Sequence, residues 1–236
     1  MARFETTNWS LILRAASDDD EEARLALALL CEAYWYPVYA YIRRQGSSAP
    51  DAEDLTQGYF ARFLEKGVVR EVHREHGRFR AFLLVSVRNF LNNARDRERA
   101  VKRGGGRRLL SLDADRAEER LSAEPRDPVT PETLFERNWA QTVIGRVHER
   151  LEQEAARRGA TPRLARLRPF LAGSEPEGTH ADIAREWGVG ESAVRVALHR
   201  LRGQFAAILR EEIGRTVESP AEIDDEIRYL LDVLGP

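Results

Sequence analysis

The chain of 236 residues has little lysine, one cysteine and no long apolar run, and these shortages exclude several classes of protein. The single cysteine, Cys31, excludes a disulfide scaffold and a zinc finger, and it fits a reducing compartment. The apolar run at residues 25–31 is far too short to span a bilayer. The N-terminus lacks the apolar core of a signal peptide. We therefore expect a cytoplasmic protein without membrane insertion.

Charge is distributed unevenly along the chain. Of the 37 basic residues only Lys66 and Lys102 are lysine, so nearly all are arginine, the cation best shaped to hold phosphates and base edges. The formal net charge is −2, but residues 70–108 carry twelve basic and four acidic residues, whereas residues 113–136 and 217–236 are each net −5. The basic middle therefore indicates contact with nucleic acid despite the near-neutral total.

Apolar spacings of three and four predominate, and hairpin turn signals are missing, which predicts an all-α fold. A run of three glycines at 104–106 and a proline-rich acidic stretch mark a break in the chain. We predict two helical domains joined by a flexible linker, with an acidic helical tail. The predicted boundaries are 1–101, 102–133 for the linker, 134–216 and 217–236.

The segment from Thr179 to Leu209 has the pattern of a helix-turn-helix. Thr179 and Asp182 form a capping-box variant, Val189 is predicted as an apolar plug in the glycine turn, and a second helix starts near Glu191. The apolar stripe of that second helix consists of Val194, Leu198 and Leu201. Its opposite face carries Ser192, Arg195, Val196, His199, Arg200 and Arg202. These side chains can enter a DNA major groove; the alternative is an ordinary helical hairpin with solvated arginines.

Two further amphipathic helices are predicted in the N-terminal half. In the first, Asp51 is expected to cap a helix whose early turns also carry Asp54, and such acids have a simple explanation in the helix dipole. The second runs from Phe79 to about Arg99, with an apolar face and a polar face rich in arginine and asparagine. A basic helix with interleaved aromatic and amide side chains can hold a phosphate backbone and contact exposed bases. The alternative for this helix is a solvated face of ion pairs.

The motifs DAEDLTQGYFARFL, FRAFLLVSVRNFL and THADIAREWGVGESAVRVALHRLRGQF occur in this order. Here the sequence resembles the extracytoplasmic-function (group IV) sigma factors of bacterial RNA polymerase. The resemblance implies a core-polymerase-binding helix, a segment that opens and reads the minus-ten element, and a helix-turn-helix that reads the minus-thirty-five element. The domains would then be sigma region 2 at 1–101 and sigma region 4 at 134–216.

The resemblance also assigns residues to these roles. Core polymerase binding falls on Asp51, Asp54, Leu55, Gln57 and Phe60. Minus-ten DNA contact falls on Arg78, Phe79, Arg80, Arg88, Asn89, Asn92, Asn93 and Arg95. Minus-thirty-five contact falls on Ser192, Arg195, Val196, His199, Arg200 and Arg202.

The implied partners are core RNA polymerase, through its β′ clamp and β flap, and promoter DNA. An anti-sigma factor or another regulator is a further candidate partner. No cofactor, metal or enzymatic activity is expected: His73 and His76 lack a further ligand cluster nearby, and no catalytic arrangement can be argued. The rival interpretations are a stand-alone helix-turn-helix regulator and a helical nucleic-acid-processing enzyme.

The acidic tail has a helical apolar stripe, which consists of Ile223, Ile227, Leu230, Leu231 and Leu234. One interpretation is a helix that completes the C-terminal core. The other is a built-in mask that competes with DNA for the basic region. The sequence leaves both open.

Overall fold

The computed structural model describes residues 21–64, 79–100, 114–123, 130–171, 179–217 and 219–235. The regular elements in these segments are α-helices and short 3-10 helices, which confirms the all-α class. None of the helices described is both long and apolar enough to cross a lipid bilayer.

The α-helices follow one another with short connections where the chain is described. In chain order they are α1 (Glu21–Arg44), α2 (Ala49–Leu64), α3 (Phe79–Ala100), α4 (Ala114–Ala123), α5 (Pro131–Arg157), α6 (Thr161–Leu167), α7 (His180–Trp187), α8 (Glu191–Gly214) and α9 (Ile223–Leu234). Short 3-10 helices cover Arg168–Leu171 and Pro220–Glu222.

The chain divides into two compact units. The first unit joins the described residues up to Thr142 with those from Ile213 onward, and the second unit consists of residues 143–212. This division differs from the sequence-based boundaries in two ways. The first twelve residues of α5 belong to the first unit, and the acidic tail with α9 belongs there too, rather than forming a separate extension.

The core of the first unit is rich in aromatic side chains. Tyr34, Tyr39 and Tyr41 of α1 are almost completely buried. Phe79, the first residue of α3, meets the ring of Tyr34 edge to face, with 5.0 Å between ring centroids. Pro37 lies inside α1 without dividing it. Helices α1 and α3 are therefore joined through a packed aromatic core.

The predicted flexible linker contains regular structure. Helix α4 lies within residues 102–133, and α5 begins at Pro131. Ala117 of α4 is buried, and the guanidinium of Arg120 lies 3.8 Å from the ring centroid of Tyr36 in α1. A cation above an aromatic face is attracted by the ring quadrupole. The described part of this segment is therefore a packed helix, and the prediction of an unpacked linker was wrong there.

Candidate nucleic-acid interface

Helix α3 separates an apolar face from a polar one. Leu83, Val87 and Leu91 recur every four residues and are buried, so they hold the helix against the first unit. The predicted minus-ten residues that are exposed on this helix are Arg88, Asn89, Asn92, Asn93 and Arg95. Arg95 Nη2 donates a hydrogen bond to the carbonyl of Gln45 at 3.4 Å. The polar face thus offers guanidinium and amide donors to solvent, and these are groups that can contact phosphates and bases.

Two of the other predicted minus-ten residues, Phe79 and Arg80, are buried rather than exposed. Arg78 lies outside the described residues. Phe79 is 1% exposed and belongs to the aromatic core, while Arg80 is 4% exposed. In this structure neither Phe79 nor Arg80 is available at the surface.

Arg80 is held by two glutamates from distant parts of the chain. Its Nε donates to Glu226 Oε1 of α9 at 2.7 Å, and its Nη1 donates to Glu136 Oε2 of α5 at 2.7 Å. The guanidinium lies 3.8 Å from the ring centroid of Tyr229 and 5.1 Å from that of Trp139. We call these five residues the Arg80 cluster.

The electrostatics of the Arg80 cluster favour the charged arginine. Burial alone would lower the pKa of Arg80, but the hydrogen bond to Glu226 and the negative charges of Glu136 and Glu226 outweigh it, so the pKa of Arg80 is raised. One cation therefore faces two carboxylates inside the protein. A buried ion pair of this kind tolerates the loss of one partner poorly, because an uncompensated charge is left behind.

Helix α2 begins with a reciprocal cap. Ser48 Oγ accepts a hydrogen bond from the backbone N–H of Asp51 at 3.3 Å and donates to Asp51 Oδ2 at 2.5 Å. Ser48 therefore caps the helix and Asp51 sits at its third position, which corrects the prediction that Asp51 is the cap.

The predicted polymerase-binding residues of α2 fall on two sides. Asp51 and Asp54 are exposed and Leu55 is partly exposed. Gln57 is 6% exposed and donates to Glu53 Oε1 at 3.0 Å, while Phe60 is 1% exposed. The surface that α2 can offer to a partner is therefore formed by Asp51, Asp54 and Leu55.

The second unit contains the predicted helix-turn-helix. Thr179 Oγ1 accepts from the backbone N–H of Asp182, and Asp182 Oδ2 accepts from the backbone N–H of Thr179, so the predicted capping box is confirmed. The hydrogen bond from the backbone N–H of Thr179 holds the pKa of Asp182 below its ordinary value. Gly188 ends α7 with φ of 65°, a left-handed conformation that favours glycine. These local features fix the short helix and the turn that precede α8.

The apolar stripe of α8 packs inward as predicted. Val194, Leu198 and Leu201 are buried, and Ile183 of α7 is buried with them. Val189 is 42% exposed, so its predicted role as a plug between the helices was wrong. The buried stripe leaves the opposite side of α8 facing solvent.

All six predicted minus-thirty-five residues lie on the exposed side of α8. They are Ser192, Arg195, Val196, His199, Arg200 and Arg202. Arg195 pairs with Glu191 at 3.3 Å, and Arg202 donates to the carbonyl of Phe170 at 3.1 Å. Val196 is 49% exposed, which places a methyl surface among hydrogen-bonding groups. Donors beside an apolar contact are the chemistry that reads base edges in a major groove.

Side chains of the types that bind metals do not form a cluster in the described segments. Within them, no three His, Cys, Asp or Glu side chains come close enough together to hold a metal ion. His73 and His76 lie outside those segments. Cys31 is buried, and burial raises the pKa of its thiol to about 12, which suppresses the reactive thiolate.

Sequence reasoning missed the Arg80 cluster. Arg80 and Glu226 are separated by 146 positions, and the amphipathic pattern around each residue gives only the helix in which it lies. The sequence signal for this cluster was the C-terminal tail, in which acidic residues accompany a strong apolar stripe. Comparison of the chain with protein-family models, curated proteins and solved structures finds no match. The candidate nucleic-acid-binding surfaces are therefore two, the exposed face of α3 in the first unit and the exposed face of α8 in the second, while Arg80 is buried at the start of α3.

Proposed function

We propose that this protein is an RNA polymerase sigma factor of the extracytoplasmic-function group, which binds core polymerase and directs promoter recognition, DNA melting and transcription initiation. The observation that carries the proposal is the exposed face of α8, where the residues assigned to minus-thirty-five contact all face solvent on a capped helix-turn-helix. RNA synthesis itself would be performed by the polymerase.

DNA contact would be shared between the two units. The arginines and His199 on α8 would bind phosphates and base edges in the major groove, with Val196 against a thymine methyl group. The arginines and asparagines on the exposed face of α3 would hold the separated strand through phosphates and bases. Arginine in both faces fits this role because its planar fork suits phosphates and base edges alike.

Polymerase binding would use the exposed side of α2. Asp51 and Asp54 place two negative charges beside the partly exposed Leu55. An acidic surface with an apolar edge suits a basic partner surface, and it accelerates encounter through long-range attraction. Gln57 and Phe60 would support this surface from inside the first unit.

The test is retention of purified bacterial core polymerase by the immobilised full chain. We expect the wild-type protein to retain core polymerase and Asp54→Arg to lose most of it, because the substitution reverses a charge on the proposed surface. Glu119→Arg is the matched control, since Glu119 is an exposed acid on α4. No retention by the wild type would overturn the assignment, and equal retention by Asp54→Arg would overturn the docking surface.

A stand-alone helix-turn-helix regulator is the second candidate. The observation in its favour is that the second unit contains the whole helix-turn-helix, without any residue of α2 or α3. Run-off transcription with core polymerase over fragmented genomic DNA separates the two candidates. With a sigma factor, defined transcripts appear only when core enzyme and the protein are both present. A stand-alone regulator binds the DNA fragments, but no transcripts start from them.

A further inference from the structure

Helix α9 brings a carboxylate to Arg80, a buried arginine in the first turn of α3. Glu226 is 1% exposed although it lies on a helix with three acids in its first turn, Asp224, Asp225 and Glu226 itself. Ile223 and Leu230 are buried on the same side of α9. The helix is thus seated on the first unit by two apolar anchors with an ionic contact between them.

The contact made by Glu226 has the form of an arginine–phosphate contact. Its two oxygens lie 2.7 Å from Arg80 Nε and 3.4 Å from Nη2, so the carboxylate faces one edge of the guanidinium. Phosphate oxygens are bound by the same planar fork. Tyr229, also on α9, lies against the face of that guanidinium. Helix α9 therefore occupies both the edge and one face of Arg80.

We infer that α9 is an internal competitor of DNA at the start of α3, in which Glu226 takes the place of a phosphate on Arg80. Single-stranded nucleic acid is the ligand that the displaced Arg80 would bind. The assignment of this ligand rests on the proposed function, because it is the resemblance that gives Arg80 to the minus-ten segment. Competition by α9 would regulate DNA binding, and the proposed function does not require such regulation.

The buried charge of Glu226 favours a helix α9 that competes with DNA over one that only completes a core. A helix that only completes a core needs apolar residues at its buried positions, and burying a carboxylate costs free energy unless it is paired. Glu226 meets that cost through an arginine that is already paired with Glu136. Two carboxylates bind the same guanidinium, and a DNA phosphate would have to displace the negative charge of Glu226 from it. Release of α9 would remove one of these charges and uncover Arg80.

The first experiment measures binding of labelled, random-sequence single-stranded DNA by fluorescence anisotropy. Glu226→Gln keeps the shape of the side chain and removes its charge, and we expect it to bind at least about fivefold more tightly than wild type, the low end of ordinary coupling between two sites. Asp232→Asn is the matched control, since it removes the same charge from an exposed position of α9. Equal tightening by both variants, or none by Glu226→Gln, would overturn the inference.

A double variant identifies the group that is released. In Arg80→Gln/Glu226→Gln the gain in affinity should disappear, because Arg80 can no longer bind a phosphate. Persistence of the gain would show that α9 acts elsewhere and would overturn the role of Arg80. Circular dichroism establishes that each variant is folded.

A measurement on the wild-type protein does not depend on any variant folding. Amide hydrogen exchange in residues 223–234 should accelerate when single-stranded DNA and core polymerase are added, since α9 must leave Arg80. Unchanged exchange in a complex that retains polymerase overturns the inference and leaves the proposed function standing. Failure to retain polymerase, together with tighter DNA binding by Glu226→Gln, overturns the proposed function and leaves the competition standing.

Discussion

Arg43 of α1 and Glu118 of α4 form a two-pronged ion pair. Arg43 Nε lies 2.6 Å from Glu118 Oε1, and Arg43 Nη2 lies 3.0 Å from Glu118 Oε2. The hydroxyl of Tyr39 donates to the same Oε1 at 2.6 Å. Parallel bonds between a guanidinium and a carboxylate fix the orientation of both groups. This pair anchors α4, in the middle of an acidic segment, to the first helix of the described chain.

Glu118→Gln should therefore destabilise the first unit by about 1 kcal/mol, because a charge-assisted pair is replaced by weaker bonds at a partly exposed site. The hydrogen bonds from Arg43 hold the pKa of Glu118 below its ordinary value of 4.5. The stabilisation is thus fully present above pH 4.5 and is lost as pH falls through the lowered pKa. Urea unfolding at neutral and acid pH measures both effects. Glu119→Gln, at the exposed neighbouring position, should change neither, and an equal loss in that control would contradict the prediction.

Arg80→Met should be strongly destabilising. It leaves the carboxylates of Glu136 and Glu226 facing each other without their cation, and such a loss costs about 3–5 kcal/mol of unfolding free energy. Arg88→Met is the matched control because Arg88 lies on the exposed side of the same helix. Chemical denaturation followed by circular dichroism gives both values. Equal stability of the two variants would show that the cluster contributes nothing net to folding.

Arg200→Ala tests the exposed face of α8. The ligand is a double-stranded fragment selected by the run-off experiment. If Arg200 contacts a base, the variant should bind this fragment about 1–3 kcal/mol less tightly than the wild type does. If Arg200 contacts a phosphate, the slope of log affinity against log salt concentration should be smaller in magnitude by about 1 in the variant. Arg157→Ala removes an exposed arginine at the end of α5, also in the second unit, and serves as the control. Filter binding at several salt concentrations distinguishes the outcomes. Identical affinity and slope in the two variants would remove Arg200 from the interface.

His148 should make the second unit sensitive to mild acid. Its ring lies 5.6 Å from that of Phe205, and burial, with the nearby charge of Arg168, lowers the pKa of His148 below its ordinary value of 6.5. The unfolded chain then binds the proton more readily, so stability is lost as pH falls below about 6.5. His148→Gln should flatten this dependence in denaturation curves at about pH 7.5 and about pH 5.5. His199→Gln, on the exposed face of α8, should retain the wild-type slope.

Features that depend on neighbouring residues could be predicted from the sequence. The capping box of Thr179 and Asp182 and the buried stripe of α8 follow from spacing alone, and both are confirmed. Helix α4 escaped prediction because its segment is acidic and proline-rich, which is also typical of a solvated linker. The partners of Glu118, which are Tyr39 and Arg43, lie 79 and 75 positions away along the chain.

The spacing of residues in the sequence also could not predict which individual site residues are buried. Gln57 and Phe60 fit a surface motif by sequence, yet both are buried, since the side of a helix that faces a core is decided by the elements that pack on it. Arg80 is the clearest case, because arginine is normally an exposed residue. Its partners come from distant helices: α9 supplies Glu226 and Tyr229, and α5 supplies Glu136 and Trp139.

The return of α9 to the first unit has a consequence for the order in which the protein is made. Residues 143–212 form the second unit and lie between the two parts of the first. Domains generally fold as units while synthesis proceeds from the N-terminus. The ribosome must therefore produce the whole helix-turn-helix before Glu226 exists to meet Arg80. During that interval the nascent first unit carries Arg80 with Glu136 and Trp139 but without Glu226, so the newest chains pass through a state in which the competitor has not yet been synthesised.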